Sequence, residues 1–229
     1  MPSDASADSD LLARADAGDE EALRLLFSRY RDRLKRMVHL RLNRRLQGRV
    51  DDSDVIQEAF LDISRKLPEY AADPKLPLFL WLRHMTGLKL TEVHRRHLGT
   101  QARDADREVS LHRGGLPVAD SVSLAAQLLG KLTTPSQAAI KAEQRIFVQE
   151  ALNSMDPVDR EVLALKHFEQ LSTNEIAEVL GLSKAGAGSR YLRAIKRLRE
   201  ILELYRSRRR LAMLDWIDDE DCGDLLRTR

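Results

Sequence analysis

The sequence predicts an all-α protein composed of two small helical domains joined by a flexible linker. Only 11 Gly and 7 Pro occur among the 229 residues, and Leu, Ala, Arg and Glu fill long stretches, a composition that favours helix over strand. Apolar residues recur at spacings of three and four, which is the period of an amphipathic helix. A chain of this length has room for two modest cores.

Three amphipathic helices are predicted in residues 19–99, which form the first domain behind an N-terminal segment of residues 1–18. Asp19 can cap the first helix, and Asp54 and Gln57 have the spacing of a capping box at the start of the second. Trp81 is assigned to the core of the domain. The predicted helices run from Asp19 to about Gly48, from Ser53 or Asp54 to Pro68, and from Leu78 to about Arg96, with a loop from Tyr70 to Pro77.

Residues 100–139 differ in composition from their neighbours and are predicted to link the domains. Gly114, Gly115, Pro117 and Pro135 interrupt this segment. A short apolar patch from Val122 to Leu132 can form one helix. Residues 206–229 form a C-terminal tail, for which a short helix folded back on the protein and a disordered tail are equally open.

A helix-turn-helix unit is predicted from Ser172 to Ile201, within a second domain of four helices that spans residues 140–205. Ser172 and Glu175 have the pattern of a capping box, and Gly181 permits the positive φ of a turn. A basic helix follows, and such a helix typically enters the major groove of DNA. A helical hairpin with a solvated basic face is the alternative. In the DNA-binding interpretation, the side chains that face DNA are those of Lys184, Ser189, Arg190 and Arg193, with Lys196 and Arg197 nearer the phosphates.

The predicted recognition helix contains two glycines, Gly186 and Gly188. Each costs ~1 kcal/mol relative to Ala inside a helix. Either the backbone approaches DNA closely there, or the helix begins late. The inner face of the helix is predicted to include Ala187, Leu192 and Leu198.

Charge is strongly segregated along the chain, although the net charge is only +2. Residues 31–49 contain eight Arg or Lys and one acid, and residues 184–210 contain ten Arg or Lys and two acids. Residues 51–62 contain five acids and no base. Local fields rather than totals steer charged partners. This segregation suits a protein that meets both DNA and a basic protein partner.

Several classes of protein are disfavoured by the composition. The single Cys222 gives neither an internal disulfide nor a paired-thiol metal site, which favours a reducing compartment. The N-terminus lacks the pattern of a signal peptide, and the longest apolar run, Leu76 to Leu82, is too short for a membrane span. We therefore expect a cytoplasmic protein without membrane insertion.

Two classes of protein other than an initiation factor can contain a C-terminal helix-turn-helix. A transcriptional regulator with a C-terminal helix-turn-helix would need an effector or receiver domain in front, and residues 1–100 have no strand pattern. A recombinase or nuclease would need a nucleophile in a basic frame or a trio of metal-binding carboxylates, and neither pattern is present. The sequence therefore contains no pattern that indicates a catalytic or metal site.

Five segments in order resemble the extracytoplasmic-function (ECF) sigma factors of the sigma-70 family. They read GDEEALRLLFSRYRDRL, DDSDVIQEAFLDISRKL, FLWLRHM, MDPVDREVLALKHFEQLSTNEIAEVLGLS and RYLRAIKRLRE. The stretch from Asp19 to His97 resembles sigma domain two, and Glu143 to Leu202 resembles sigma domain four. The resemblance implies a protein without catalytic activity, metal, cofactor or small-molecule substrate. Such a protein binds core RNA polymerase and promoter DNA and helps to open the duplex. An anti-sigma factor is a further candidate partner.

The resemblance also implies roles for individual residues. The acidic helix from Asp51 to Leu67 would dock on the clamp helices of the largest polymerase subunit. The linker would thread toward the active-site and RNA-exit region of the polymerase. Many relatives have Asn where this chain has Leu88, so recognition of the −10 element is expected to differ. The implied polymerase contacts are Asp51, Asp54, Gln57, Glu58 and Asp62, and the implied −10 contacts are Arg83, Leu88, Lys89, His94, Arg95 and Arg96. For Asp51, Asp52 and Asp54, stabilisation of their own helix start is the alternative.

Overall fold

The computed structural model describes residues 3–98, 117–130 and 138–209, and every regular element within these ranges is an α-helix. This confirms the predicted fold class. The C-terminal tail beyond Arg209 and residues 99–116 and 131–137 of the linker lie outside the described residues. The helices are α1 (Ser3–Asp16), α2 (Glu20–Arg41), α3 (Asp52–Ala72), α4 (Leu78–Leu98), α5 (Ser121–Gly130), α6 (Ala138–Asn153), α7 (Pro157–His167), α8 (Thr173–Leu180) and α9 (Lys184–Arg209).

The first domain begins with a helix that the sequence did not predict. Helix α1 packs on α2, and its Asp8 accepts hydrogen bonds from the Tyr30 hydroxyl and, at 2.7 Å, from the Arg29 guanidinium. Burial and the Asp8 carboxylate together raise the pKa of Tyr30. The N-terminal segment is therefore part of the folded domain rather than an appendage to it.

Helix α2 starts as predicted and ends earlier than predicted. Asp19 caps it by accepting hydrogen bonds from the backbone N–H groups of Glu21 and Ala22, both at 3.0 Å. The helix stops at Arg41 rather than near Gly48, because Leu42 takes an extended conformation. The Asn43 side chain then accepts the backbone N–H of Arg45 at 2.9 Å, which stabilises a turn in place of further helix.

Helix α3 differs from the prediction at both ends. Its N-cap is Asp51, which forms a capping box with Asp54, so the predicted pairing of Asp54 with Gln57 was wrong. At the other end the helix continues through Pro68 to Ala72. The ring of Tyr70 stacks on Trp81 with centroids 4.3 Å apart, and its hydroxyl donates to the carbonyl of Leu76. This packing stabilises the last part of α3, which Pro68 by itself would destabilise.

The described part of the linker is packed rather than flexible. Helix α5 confirms the predicted short helix, and Leu124 and Ala125 are fully buried between the two domains. The backbone N–H of Asp120 donates to the carbonyl of Leu40 in α2 at 2.8 Å, while α5 packs along α6. The two domains and this helix consequently share one continuous apolar core.

The helix-turn-helix forms where the sequence predicts it. Ser172 and Glu175 make the capping box of α8, and Gly181 ends α8 in the left-handed region at φ 61°. Asp156 caps α7, with Pro157 at its first position. Ala177 is buried where α8 meets α9, so its small side chain allows the close approach of these two helices.

Replacing Gly181 by alanine is expected to lower the free energy of unfolding by about 1 kcal/mol, because a Cβ strains the left-handed conformation. Gly188→Ala is the matched control. A Cβ on Gly188 would meet only the Thr173 methyl, at an ordinary 3.9 Å, so this helical change should be neutral or stabilising. Urea denaturation of both variants measures the difference. Equal stability of Gly181→Ala and wild type would contradict this assignment of strain.

Candidate nucleic-acid interface

Helix α9 presents a stripe of exposed polar and basic side chains near its start. The spacing of Ser189, Arg193 and Lys196 places them on one face, and all three are exposed. Lys184 and Arg197 are exposed as well. Five of the six residues that the sequence assigns to the −35 element are therefore exposed on α9, and Ser189, Arg193, Lys196 and Arg197 share one side of it.

Arg190 is the exception among these six residues. Its Nη1 lies 2.9 Å from a carboxylate oxygen of Asp159 and 3.5 Å from one of Asp156, both at the start of α7. The Asp159 side chain is only 9% exposed. Arg190 thus ties the recognition helix to α7, and it would have to leave this pair to bind DNA.

Leu192 is a candidate contact that the sequence analysis placed on the wrong face. The buried series is Ala187, Tyr191, Ala194 and Leu198, and Leu192 lies about 140° around the helix from Ala187. It is 40% exposed, beside Ser189 and Arg193. An exposed apolar side chain on a DNA-facing helix can contact the methyl group of thymine. The sequence did contain a signal for the correct face. Tyr191 lies four residues after Ala187 and seven before Leu198, so it fits the helical period of the buried series better than Leu192 does.

The six side chains assigned to the −10 element separate into exposed and buried groups. Leu88, Arg95 and Arg96 are exposed on α4. Arg83 and His94 are buried, and the Lys89 side chain is only 11% exposed. The Nε2 of His94 accepts the backbone N–H of Asn43 at 3.2 Å, which fits a structural role for this ring. The structure therefore does not bring all six to one surface.

Ion pairs connect the basic helix α4 to the acidic helix α3. Lys89 Nζ lies 2.6 Å from Asp62 and 2.8 Å from Glu92, and these hydrogen bonds raise the pKa of Lys89. Arg96 likewise lies 2.8 Å from Glu92 and 3.6 Å from Glu58. Each of these charges is therefore partly neutralised within the domain.

The acidic face of α3 consists of Asp54, Gln57, Glu58 and Leu61, at helical spacings of three and four. Leu61 is 54% exposed and was not singled out by the sequence analysis. An apolar side chain within a polar rim is the usual arrangement of a protein-binding surface. Asp51 lies at the start of the helix, where backbone hydrogen bonding at Ser53 lowers its pKa, so its observed role is capping.

Neither a membrane-crossing helix nor a metal-binding cluster is found in the described ranges. None of the helices α1–α9 is long and apolar enough to cross a membrane. Within the same parts of the chain, no group of three or more His, Cys, Asp or Glu side chains could hold a metal ion.

Comparison with known proteins identifies the class to which this helix-turn-helix belongs. Residues 148–198 match the family model described as Sigma-70, region 4. An RNA polymerase sigma-E factor of Streptomyces antibioticus is 42% identical over 59 residues, which are 26% of this chain. That match spans 33% of the length of the Streptomyces protein.

Longer matches extend over most of the chain. The ECF RNA polymerase sigma-E factor of Haemophilus influenzae is 24% identical over 196 residues, covering 86% of this chain and 93% of the relative. The ECF RNA polymerase sigma factor SigD of Mycobacterium bovis is 26% identical over 190 residues, covering 83% and 81%. These comparisons support the resemblance to the extracytoplasmic-function sigma factors of RNA polymerase that the sequence predicts.

A solved structure supports the fold. A chain in the structure of CnrH in complex with the cytosolic domain of CnrY matches with a TM-score of 0.53 and 23% sequence identity, and the match covers 86% of this chain and 98% of that one. At this identity the likeness establishes a shared fold.

Proposed function

We propose that this protein binds core RNA polymerase and directs it to promoters by contacting the −35 element with α9 and the −10 element with α4. The observation that carries the proposal is the exposed stripe of Ser189, Arg193 and Lys196 in the N-terminal half of the second helix of a helix-turn-helix. Cations on this face bind phosphates and set the register, while side chains toward the helix start read base edges.

The first domain supplies the other two contacts. The acidic face of α3 is proposed to dock on the clamp helices of the largest polymerase subunit, with Leu61 at the centre of the contact. Arg95 and Arg96, exposed near the end of α4, are proposed to hold the −10 region. Opening of the duplex follows from binding one strand there in preference to the paired form.

Three further assignments belong to the same proposal. The protein acts in the cytoplasm, where the polymerase and promoter are. It has no catalytic activity of its own and needs no cofactor. An anti-sigma factor is a candidate partner, and the capture of CnrH with the cytosolic domain of CnrY supports protein binding by this fold.

Reconstitution with core polymerase tests the proposal, with promoter-specific run-off transcripts as the readout. Arg193→Glu is expected to reduce −35-dependent transcription at least ~10-fold, since a base or phosphate contact is worth about 1–3 kcal/mol, and to leave core affinity unchanged. Lys75→Glu is the control, because this exposed lysine lies in the turn before α4. Equal loss of transcription and core binding in Arg193→Glu would show that domain four is misassigned. Tight binding to duplex DNA without any promoter-specific transcript would exclude the sigma function.

Leu192 is expected to read a thymine of the −35 element through its methyl group. Deoxyuridine lacks the methyl group of thymidine. Replacing each thymidine in turn by deoxyuridine, in a −35 sequence selected by the holoenzyme, therefore isolates this contact. At one position we expect a ~3- to 10-fold loss of affinity in wild type, in line with a single apolar contact, and no loss in Leu192→Ala. If both proteins respond equally at every thymine, Leu192 does not contact a methyl group.

A further inference from the structure

We infer that the free protein is held closed by a buried ionic clasp between its two domains, and that this clasp must open before both promoter elements can be bound. The clasp consists of Arg41 and Arg83, from α2 and α4, and Glu161 and Glu169, from α7 and the turn that follows it. The first half of this inference stands on the structure of the chain, and the second half rests on the proposed function.

The four charged groups interlock across the domain boundary. Arg41 Nη1 lies 2.5 Å from one oxygen of Glu169, and Arg83 Nε lies 2.6 Å from the other. Arg41 also pairs with Glu161, which is 3.8 Å from Arg83. The side chains of Arg41 and Glu169 are fully buried. Burial alone would raise the pKa of Glu169, but the two guanidinium groups lower it overall, so the carboxylate is charged.

A second set of contacts joins domain two to the end of α7. The Nε of Arg36 donates to the carbonyl of Phe168 at 2.9 Å, and Arg33 donates to the carbonyls of Glu169 and Gln170, both at 3.1 Å. These carbonyls belong to the three residues that follow the end of α7 at His167. Arginines of α2 therefore bind the backbone of the turn after α7 in the other domain, which gives the docked arrangement a defined orientation.

The linker is fastened to the same cluster. The backbone N–H of Ala119 donates to the second oxygen of Glu161 at 3.0 Å, and Ala119 itself is buried. Glu161 thus contacts domain two through Arg41 and the linker through Ala119. Opening the clasp would release the linker together with the two domains.

The closed form is too short to contact both promoter elements. The elements are named for positions about 25 base pairs apart, which corresponds to ~85 Å of straight duplex at ~3.4 Å per base pair. A compact body of roughly 200 residues has a radius of gyration of ~17 Å and a diameter of ~45 Å. The domains must separate to reach both elements. Arg83, assigned to the −10 element by resemblance, is also occupied by Glu169 while the clasp is closed.

The chemistry of the clasp suits a reversible contact. Buried ion pairs regain their hydration when they separate, which offsets part of the cost of exposing the apolar core that the two domains share. Removal of one partner strongly destabilises the closed form, because it leaves the other charge buried without compensation. Glu169 is therefore the residue at which a minimal change should most strongly favour the open form.

Energy transfer between two fluorophores measures the distance between the domains in the full chain. Labels are placed on Lys75→Cys and Ile146→Cys, both exposed, in a Cys222→Ser background. Glu169→Gln is expected to raise the ratio of open to closed chain on the order of 100-fold and so to reduce transfer. Glu200→Gln is the matched control, since Glu200 makes an exposed pair with Arg197 on α9 of the same domain. Glu169→Asp, which keeps the charge, should give energy transfer between the values of wild type and Glu169→Gln. It replaces Glu169→Gln in the test if that variant folds poorly.

Wild type is expected to show high transfer when free and low transfer in the transcribing complex with core polymerase and promoter. Equal transfer in free Glu169→Gln and Glu200→Gln, or low transfer in free wild type, would overturn the clasp. High transfer retained in a complex that makes promoter-specific transcripts would overturn the need for opening. If wild type makes no such transcripts, the proposed function fails, whereas the comparison of the free variants still decides whether the clasp exists.

Discussion

Replacing Arg41 by alanine is expected to lower the free energy of unfolding by about 3–5 kcal/mol, because two buried carboxylates lose a partner. Arg41 is fully buried and pairs with both Glu161 and Glu169. The same change at Arg24, also on α2, is the control. Arg24 is 61% exposed and pairs with Glu20 and Glu21, so its loss should cost less than about 1 kcal/mol. Urea denaturation followed by circular dichroism measures both values.

The cost of Arg41→Ala is also expected to depend on pH. The pKa of Glu169 is lower in the folded chain than its ordinary value of 4.5. A lowered folded pKa gives stabilisation that is fully present above the unfolded pKa and is lost as the pH falls through the folded pKa. The difference between wild type and Arg41→Ala should therefore be constant near neutral pH and shrink in acid below about pH 4.5. A difference that grows in acid would contradict this assignment.

Leu61→Arg is expected to weaken binding to core polymerase by about 100-fold, because central apolar anchors contribute most to such contacts. Since Leu61 is exposed, the variant should fold normally. Ile146→Arg is the matched control, with similar exposure on α6 of the other domain. Titration of core polymerase with labelled protein gives the affinities. Unchanged affinity in Leu61→Arg would remove the acidic face of α3 as the docking surface.

The features that could be predicted from the sequence are those that local chemistry determines. The caps at Asp19 and Ser172 and the turn at Gly181 each depend on residues within three or four positions. Helical periodicity in the same way identified α4 and the helix-turn-helix. The family could be recognised because several such local patterns occur in a fixed order.

The remaining features depend on residues that are distant in sequence. The pairing of Arg83 with Glu169 joins positions 86 apart, and no local pattern indicates it. Helix α3 continues past Pro68 because Tyr70 stacks on Trp81. Leu192 was predicted to lie on the inner face because apolar residues of α9 can be grouped into more than one face at helical spacing. The burial of Tyr191 shows which of these faces packs against the core. Arg83 was assigned to DNA by resemblance and Arg190 by its position in the recognition helix, and no local pattern indicates their pairing with Glu169 and Asp159.

The ion pairs between α3 and α4 connect two binding events through shared charges. Lys89 is held by Asp62, and Arg96 lies near Glu58. Lys89 and Arg96 each also pair with Glu92. A basic partner that engages Asp62 and Glu58 would remove one of the two acids near each cation and so strengthen its attraction for phosphates, and phosphates that engage the two cations would release Asp62 and Glu58. Linkage requires that each ligand change the affinity for the other by the same factor. We therefore expect polymerase and −10 DNA to bind this domain cooperatively, with the cooperativity weakening as salt screens the pairs.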